Sequence, residues 1–177
     1  QPRFRQESHG LTAAEQGTAT HLVLQYLDLA DRDVAGQVER LRMRDLLTQE
    51  QAQAVDLEEL ARFLDSPLAD EIRQGRDVLR EYRFTLLMDA RAYDPAAAEG
   101  ERILLQGVVD CCFTTDEGVT VVDFKTDHVG STEELRRRAE GYRPQLEAYS
   151  QALERVLERP VIRRTLYFLR PGKAVDI

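Results

Sequence analysis

Two aspartates lie inside apolar, β-branched segments of the sequence, where a charged side chain is unexpected. Asp110 falls within residues 106–113 and Asp123 within residues 119–125, and most of their neighbours are valine, cysteine or phenylalanine. An isolated carboxylate in such surroundings costs several kcal/mol to desolvate. Each acid therefore needs a partner, which is either an ordinary ion pair or a bound cation.

The spacing of these acids predicts that they meet. A two-residue hairpin turn at Asp116 and Glu117 pairs residues whose numbers sum to 233, among them Asp110 and Asp123. Directly opposite residues have Cβ atoms roughly 4.5–5.5 Å apart, and a one-residue change in the turn still leaves the acids near neighbours. Two carboxylates that close repel each other unless a proton or a cation lies between them. Mg²⁺ is the predicted cation, because it binds through a few carboxylates and waters, and Mn²⁺ is the alternative.

A lysine accompanies the second acid. Lys125 lies two residues after Asp123, so both side chains project from the same face of a strand. The sequence contains 22 arginines and only two lysines, Lys125 and Lys173, which indicates that a compact ammonium is required beside the acids. Two carboxylates, a divalent metal and a lysine suit phosphodiester hydrolysis, because the metal activates water while the ammonium stabilises developing charge. The residues alone leave open a structural ion pair, and a metal hydrolase of another kind such as a phosphatase.

The two acids and the lysine must be positioned by the surrounding elements of the fold. In residues 1–76, most of the local sequence signals are those of helices. A capping box formed by Thr12 and Glu15 predicts a first helix that runs to about Leu29. Short helices follow before residue 77, each with its own start signal, at Thr48, Asp56 and Ser66.

Strand signals dominate residues 77–177. Alternation of apolar and polar residues predicts a first strand around Glu81 to Leu86, and a polar loop follows over residues 93–100. The remaining predicted elements are strands at about 102–115, 119–125 and 161–169, and a helix over 132–158 that is interrupted near 142–144. This order predicts an α/β fold of the α+β kind: one domain over 1–177, with a central mixed sheet flanked by helices and an N-terminal helical elaboration.

Composition and cysteine usage exclude several classes of protein. The 177 residues are 42% hydrophobic and 32% charged, the balance of one globular domain, and no apolar run approaches the ~18 residues of a membrane span. Cys111 and Cys112 are adjacent in a predicted strand, so they face opposite sides of a sheet and cannot by themselves hold zinc or an iron–sulfur cluster. This usage fits a reducing cytoplasm. The chain starts at Gln1 with neither a methionine nor a signal peptide, and we expect a fragment of a longer protein.

Four short motifs resemble, in order, those of RecB-type nucleases in the PD-(D/E)xK superfamily. They are Gly17-x-x-x-His21, Gly107-x-x-Asp110, Asp123-Phe124-Lys125-Thr126-Asp127 and Gln145-x-x-x-Tyr149. The resemblance covers residues 17 to about 169 and is greatest to the C-terminal nuclease domains of AddA subunits in bacterial AddAB helicase–nucleases. It implies a restriction-endonuclease-like core.

The resemblance also implies roles for individual residues. His21, Asp110, Asp123 and the backbone carbonyl of Phe124 would bind the metal, and Lys125 would be the catalytic lysine. Outside the resemblance, His21 would be an ordinary partly buried helix residue.

Three further residues receive supporting roles from the same resemblance. Gln145 and Tyr149 lie at i and i+4 on one helix face, where they would buttress the site or touch DNA. Glu81 precedes an aromatic-containing strand much as a glutamate does in the family.

The function implied in this way is Mg²⁺-dependent exonucleolytic cleavage of DNA, as single strands unwound by a helicase, in double-strand break repair and recombination. The implied partners are DNA, helicase domains of the same polypeptide and a second helicase–nuclease subunit, with no membrane. ATP would be used only by the helicase part, and this chain cannot supply the four cysteines of the iron–sulfur cluster found in the B subunits.

The charge distribution supports a rival hypothesis. The net charge is −8, composed of −11 in residues 1–127 and +3 in residues 128–177, whereas a protein that captures DNA unaided is expected to be basic. A catalytically idle DNA-guiding or subunit-scaffold module therefore remains the alternative. The sequence leaves two roles open for a group of four arginines: they contact phosphates, or they form a solvated helix face. The four are Arg136, Arg137, Arg138 and Arg143.

Overall fold

The computed structural model describes residues 10–177, so the expectation about the chain's first residues lies outside the described range. Five helices precede the sheet, and their bounds are α1 Ala13–Tyr26, α2 Val34–Met43, α3 Gln49–Ala54, α4 Leu57–Leu64 and α5 Pro67–Gln74. Both capping boxes are present at the predicted starts, since Thr12 and Thr48 each exchange hydrogen bonds with the residue three positions on. Asp56 and Ser66 cap α4 and α5 in the same predicted places.

Five strands form one mixed sheet in the order β1-β2-β3-β4-β5. Their bounds are β1 Arg76–Asp89, β2 Arg102–Thr114, β3 Val119–Lys125, β4 Val161–Phe168 and β5 Lys173–Asp176. The neighbouring strands pair antiparallel except for β3 and β4, which are parallel. A parallel pair needs a crossover connection, and the long helix α6, Thr132–Leu157, supplies it.

The sheet is covered by helices on both faces. Helices α1 to α5 pack on one face, where they enclose Cys111, Phe113, Val122 and Tyr167; we call this the front face. Helix α6 packs on the other, back face. Cys111 lies under the front helices and Cys112 under α6, which confirms that the two thiols point to opposite sides.

One prediction about secondary structure is wrong, and one strand was not predicted. Helix α6 is not interrupted near residues 142–144 but continues through Pro144. Proline removes one backbone hydrogen bond, and buried residues on either side, Ala139 and Leu146, hold both halves of the helix against the sheet. Strand β5 was not predicted, because its four residues lack an apolar alternation. In the part of the chain that the structure describes, no helix is both long and apolar enough to cross a bilayer.

Candidate metal and active site

The hairpin of β2 and β3 brings the two buried aspartates together. The observed pairs Cys111↔Val122, Cys112↔Val121, Phe113↔Thr120 and Thr114↔Val119 confirm the predicted register. Regular backbone pairing between β2 and β3 ends at Cys111↔Val122, one residue pair before the acids. Beyond that point the Asp110 side chain contacts β3, because its Oδ2 accepts a hydrogen bond from the Phe124 N–H at 2.8 Å. The two carboxyl groups lie close enough for the charge of Asp110 to shift the pKa of Asp123, and their side chains are only 15% and 16% exposed.

The electrostatics of this acid pair are unequal. Burial and the negative charge of Asp110 raise the pKa of Asp123 to about 6, although Lys125 opposes that rise. Burial also acts to raise the pKa of Asp110, but the hydrogen bond and charge of His21, helped by the Phe124 N–H, hold it below its usual range. Asp110 is therefore the firmly ionised member of the pair.

His21 reaches the acids from the front face. In the Gly17-x-x-x-His21 motif, the Gly17 carbonyl contacts His21 Nδ1 at 2.9 Å, and Nε2 lies 2.9 Å from the Phe124 carbonyl and 3.3 Å from Asp110 Oδ2. A Cβ at Gly17 would approach Thr126 Oγ1 to 3.0 Å, so glycine lets α1 lie close to the end of β3. Burial acts to lower the pKa of His21, yet Asp110 and the two carbonyls outweigh it and raise that pKa to about 9.

Lys125 is held from the back face. Its Nζ lies 2.7 Å from Asp123 Oδ2 and 3.6 Å from the centroid of the Tyr142 ring on α6, a cation–π contact. The Tyr142 hydroxyl donates to Asp127 Oδ2 at 2.9 Å, which fixes the ring. Tyr142 was not among the predicted site residues; its signal in the sequence was an aromatic residue in the helix that follows the Asp123 motif, three positions before Gln145.

The donor set fits a hard divalent cation. The imidazole Nε2 contacts the Phe124 carbonyl and the Asp110 carboxylate, and Asp123 is electrostatically coupled to Asp110. The raised pKa of His21 favours its protonated ring, whose positive charge would attract these oxygens. Within residues 10–177, no three side chains of His, Cys, Asp or Glu form a ready-made metal cage. Mg²⁺ does not require one, because it keeps several waters and binds through one or two carboxylates.

Comparison with known proteins decides the family. The sequence model of a protein family, described as the PD-(D/E)XK nuclease superfamily, matches residues 2–176. The chain belongs to the PD-(D/E)XK nuclease superfamily. Its five-stranded mixed sheet with helices on both faces is the α/β core that the sequence predicted for this superfamily.

Three curated relatives of this superfamily member are named as A subunits of ATP-dependent helicase/nucleases. The chain is 43% identical over 185 residues to the one from Heliobacterium modesticaldum, covering 99% of this chain and 13% of the relative. The corresponding values are 39% over 178 residues for Acetivibrio thermocellus (97% and 14%) and 38% over 188 residues for Bacillus mycoides (99% and 15%). The chain thus spans only 13 to 15% of the length of these relatives.

The Gln145-x-x-x-Tyr149 motif lies beside the acids rather than among them. Gln145 Nε2 donates to the Tyr149 hydroxyl at 3.1 Å, and the Tyr149 ring packs edge-on against Phe84 with centroids 5.2 Å apart. Gly107 leaves room for this aromatic pair, since a Cβ there would lie 2.5 Å from Phe84 Cζ. Tyr149 therefore packs beside Gly107 and supports β2, the strand that carries Asp110. Gln145 is exposed.

Glu81 lies within β1, as the alternation of residues 81–86 predicted, rather than before the strand, as the resemblance suggested, and its φ is +49°. That left-handed conformation costs roughly 1–2 kcal/mol for a residue with a side chain. It breaks the alternation of β1, so that Arg80 donates to the Leu24 carbonyl of α1 while Glu81 also lies on the front face, in a groove with His21 and Asp110.

The arginine group on α6 is partly neutralised. Arg138 pairs with Glu134 and Asp127, and Arg143 pairs with Glu140. Arg136 and Arg137 are exposed, and no carboxylate of residues 10–177 lies within ion-pair distance of them. Arg136 and Arg137 are therefore better placed than Arg138 and Arg143 to bind an external anion.

Proposed function

We propose that this chain is a Mg²⁺-dependent deoxyribonuclease domain. One observation carries the proposal: His21 Nε2 lies 2.9 Å from the Phe124 carbonyl oxygen and 3.3 Å from Asp110 Oδ2, with Asp123 and Lys125 in direct contact beside them. Family membership supports phosphodiester cleavage as the reaction of that group. Mn²⁺ is expected to replace Mg²⁺, because both suit carboxylate, carbonyl and water ligands.

In the proposed mechanism each residue has a task set by its contacts. Asp110, Asp123, the Phe124 carbonyl and His21 would hold the metal, which when bound lowers the pKa of water and neutralises phosphate charge. Gly17 orients the imidazole, because its carbonyl accepts from Nδ1 and leaves Nε2 directed at the oxygens. Lys125 is placed to orient the nucleophile or to stabilise the pentacovalent phosphate, and Tyr142 restricts its ammonium to that position.

The biological setting is a further part of the proposal. We infer exonucleolytic digestion of single strands, delivered by helicase domains of the same polypeptide in a helicase–nuclease that also contains a second subunit. Such an enzyme would act in the cytoplasm in double-strand break repair and recombination, and ATP would serve only the helicase part. The helicase/nuclease name of the relatives supports this setting.

A cleavage assay with matched variants tests the proposal. We expect Mg²⁺-dependent degradation of end-labelled single-stranded DNA that EDTA stops, and Asp110→Asn or Lys125→Met should lower the rate by at least about 100-fold, the usual effect of losing one charge-stabilising group. The controls are Asp116→Asn, at an exposed aspartate of the same hairpin, and Lys173→Met, at the only other lysine. Undiminished cleavage in either site variant would refute the assignment.

Circular single-stranded DNA extends the same assay to the mode of attack. An exonuclease leaves the circle intact, whereas an endonuclease opens it. Competition between DNA and a small phosphate ester tests the remaining metal-hydrolase alternative, because a phosphatase would prefer the ester.

The idle guiding or scaffold module is the second candidate, and two observations favour it. His21 and Lys125 already neutralise the acid pair by direct contact, and residues 1–127 carry a net charge of −11. Thermal unfolding with Mg²⁺ separates the two candidates. A functional site should be stabilised by about 2.7 kcal/mol at 100 times the dissociation constant and Asp110→Asn should lose this, whereas an idle module shows neither the stabilisation nor cleavage.

A further inference from the structure

A groove of about 600 Å³ opens beside the proposed metal site on the front face. One wall is α1, with Gly17, Thr18 and His21, and the other is formed by β1 and β2, with Arg83 and Asp110. A molecule lying in this groove would contact both a metal-binding residue and Arg83.

The groove continues onto an uncovered face of β1 and β2. The pairs Thr85↔Gln106, Leu87↔Leu104 and Asp89↔Arg102 extend the two strands beyond Arg83. All six of these side chains are exposed, and Leu87 and Leu104 are 50% and 60% exposed. The opposite face of the same strands is packed against α6 through Phe84 and Leu86. We call Arg83 and these six residues the ribbon face.

The charges of the ribbon face favour an anionic ligand. Arg83 and Arg102 are exposed, and neither guanidinium has a carboxylate of residues 10–177 within ion-pair distance, unlike Arg91, whose partner is Glu99 at 3.9 Å. Arginine binds phosphate through paired N–H donors. The acids of the groove and the ribbon face are Asp110 and Glu81, which line the groove, and Asp89, which caps a turn by accepting the Arg91 N–H.

The leucine pair indicates that the ligand presents apolar surface as well as charge. In a duplex the bases are stacked inside, whereas an unpaired strand exposes both its bases and its phosphates. A single strand therefore matches the combination of Leu87, Leu104 and two arginines better than a duplex does.

We propose that single-stranded DNA lies along the ribbon face and enters the groove at Arg83, with Arg102 as a second phosphate contact. From Val108, the partner of Arg83, to Arg102 is six residues, or roughly 20 Å of strand. A stacked nucleic-acid strand carries about six phosphates over that length, at ~3.4 Å each. The assignment rests on the proposed nuclease function, since it supplies the substrate path for that site.

Binding of a fluorescent oligothymidylate, followed by anisotropy in EDTA so that cleavage cannot occur, tests this path. The double variant Arg83→Ala with Arg102→Ala should bind about tenfold more weakly at ~0.1 M salt, and its log–log salt slope should fall by about 1.4, or 0.7 for each lost contact. The matched control is Arg44→Ala with Arg159→Ala, which removes the same charge from exposed residues that line no part of the groove. Leu87→Ser with Leu104→Ser should weaken single-strand binding and leave duplex binding unchanged.

Several results would overturn the path: no binding by the wild type, an unchanged slope in the double variant, an equal loss in the control, or a preference for duplex. The first three would show that the ribbon face is free for another occupant, such as a protein surface. Cleavage is measured on the same proteins, which keeps the two proposals separate. An altered slope without any wild-type cleavage supports the path and refutes the nuclease function, and cleavage with an unchanged slope does the reverse.

Discussion

Replacing Gly107 with alanine should destabilise the fold, because the space its side chain needs is filled by two aromatic rings. Gly107 pairs with Phe84 across β1 and β2. An added Cβ would lie 2.5 Å from Phe84 Cζ and 2.8 Å from Tyr149 Cε1, whereas non-bonded carbons prefer about 3.5–4.0 Å. Phe84 is only 5% exposed and cannot rotate into solvent. Overpacking of this kind costs about 1–3 kcal/mol.

A double-mutant cycle shows whether the ring is the cause. Leucine at position 84 lacks the Cζ that an alanine at position 107 would meet, so Gly107→Ala should cost at least about 1 kcal/mol less in a Phe84→Leu background. Gly141→Ala is the control, because a Cβ at Gly141 meets nothing within 4 Å and lies inside α6. There alanine should stabilise the protein by about 0.5–1 kcal/mol.

Urea denaturation followed by circular dichroism gives the free energies of unfolding for the four proteins of the cycle and the control. Strictly additive effects of Gly107→Ala and Phe84→Leu would refute the clash. So would a Gly107→Ala variant that is as stable as the wild type.

Four further outcomes follow from features described above. Tyr142→Leu should lower the cleavage rate while Tyr142→Phe largely preserves it, because phenylalanine keeps an aromatic ring over Lys125; equal rates in the two variants would exclude the cation–π role. Burial raises the pKa of Cys111 to about 12 and that of Cys112 to about 11, so both thiols should react slowly with a disulfide reagent at pH 8 until the chain unfolds. Both folded-state pKa values exceed the pKa of a cysteine thiol in the unfolded chain. The free energy of unfolding is therefore retained below about pH 9 and declines as the pH rises above it. Urea titrations at pH 8 and pH 10 would detect this as a lower midpoint at pH 10. Thr12→Ala removes the α1 capping box and should cost about 1 kcal/mol, measured as a lower urea midpoint; no change would mean that the cap is not needed.

The hairpin register was predictable because a tight turn leaves few ways to pair its strands. Asp116 and Glu117 determine which residues of β2 and β3 face each other, and the pairs from Cys111↔Val122 to Thr114↔Val119 follow. The sequence does not show that the ladder stops just before the acids, or that Asp110 then accepts the Phe124 N–H. The same carboxylate also contacts His21, 89 residues earlier in the chain.

Long-range packing also explains the other misses. Local preference predicts a break at Pro144, but the burial of α6 against the sheet outweighs one lost hydrogen bond. The left-handed backbone at Glu81 has no local signal, since glutamate gives no hint of a positive φ. Tyr142 was missed because its partner, Lys125, is a neighbour only in the folded protein.

The proposed reactive group is assembled from parts that are made at different times. His21 comes from the first helix, the two acids from the middle of the chain, and Tyr142 from a helix that follows them. During synthesis or after partial unfolding, any chain in which one of the two helical layers has not docked would lack either the imidazole or the aromatic clamp on the lysine. An incompletely folded molecule is therefore expected to cut nucleic acids more slowly than the mature one, and the full rate would be reached only with the completed fold.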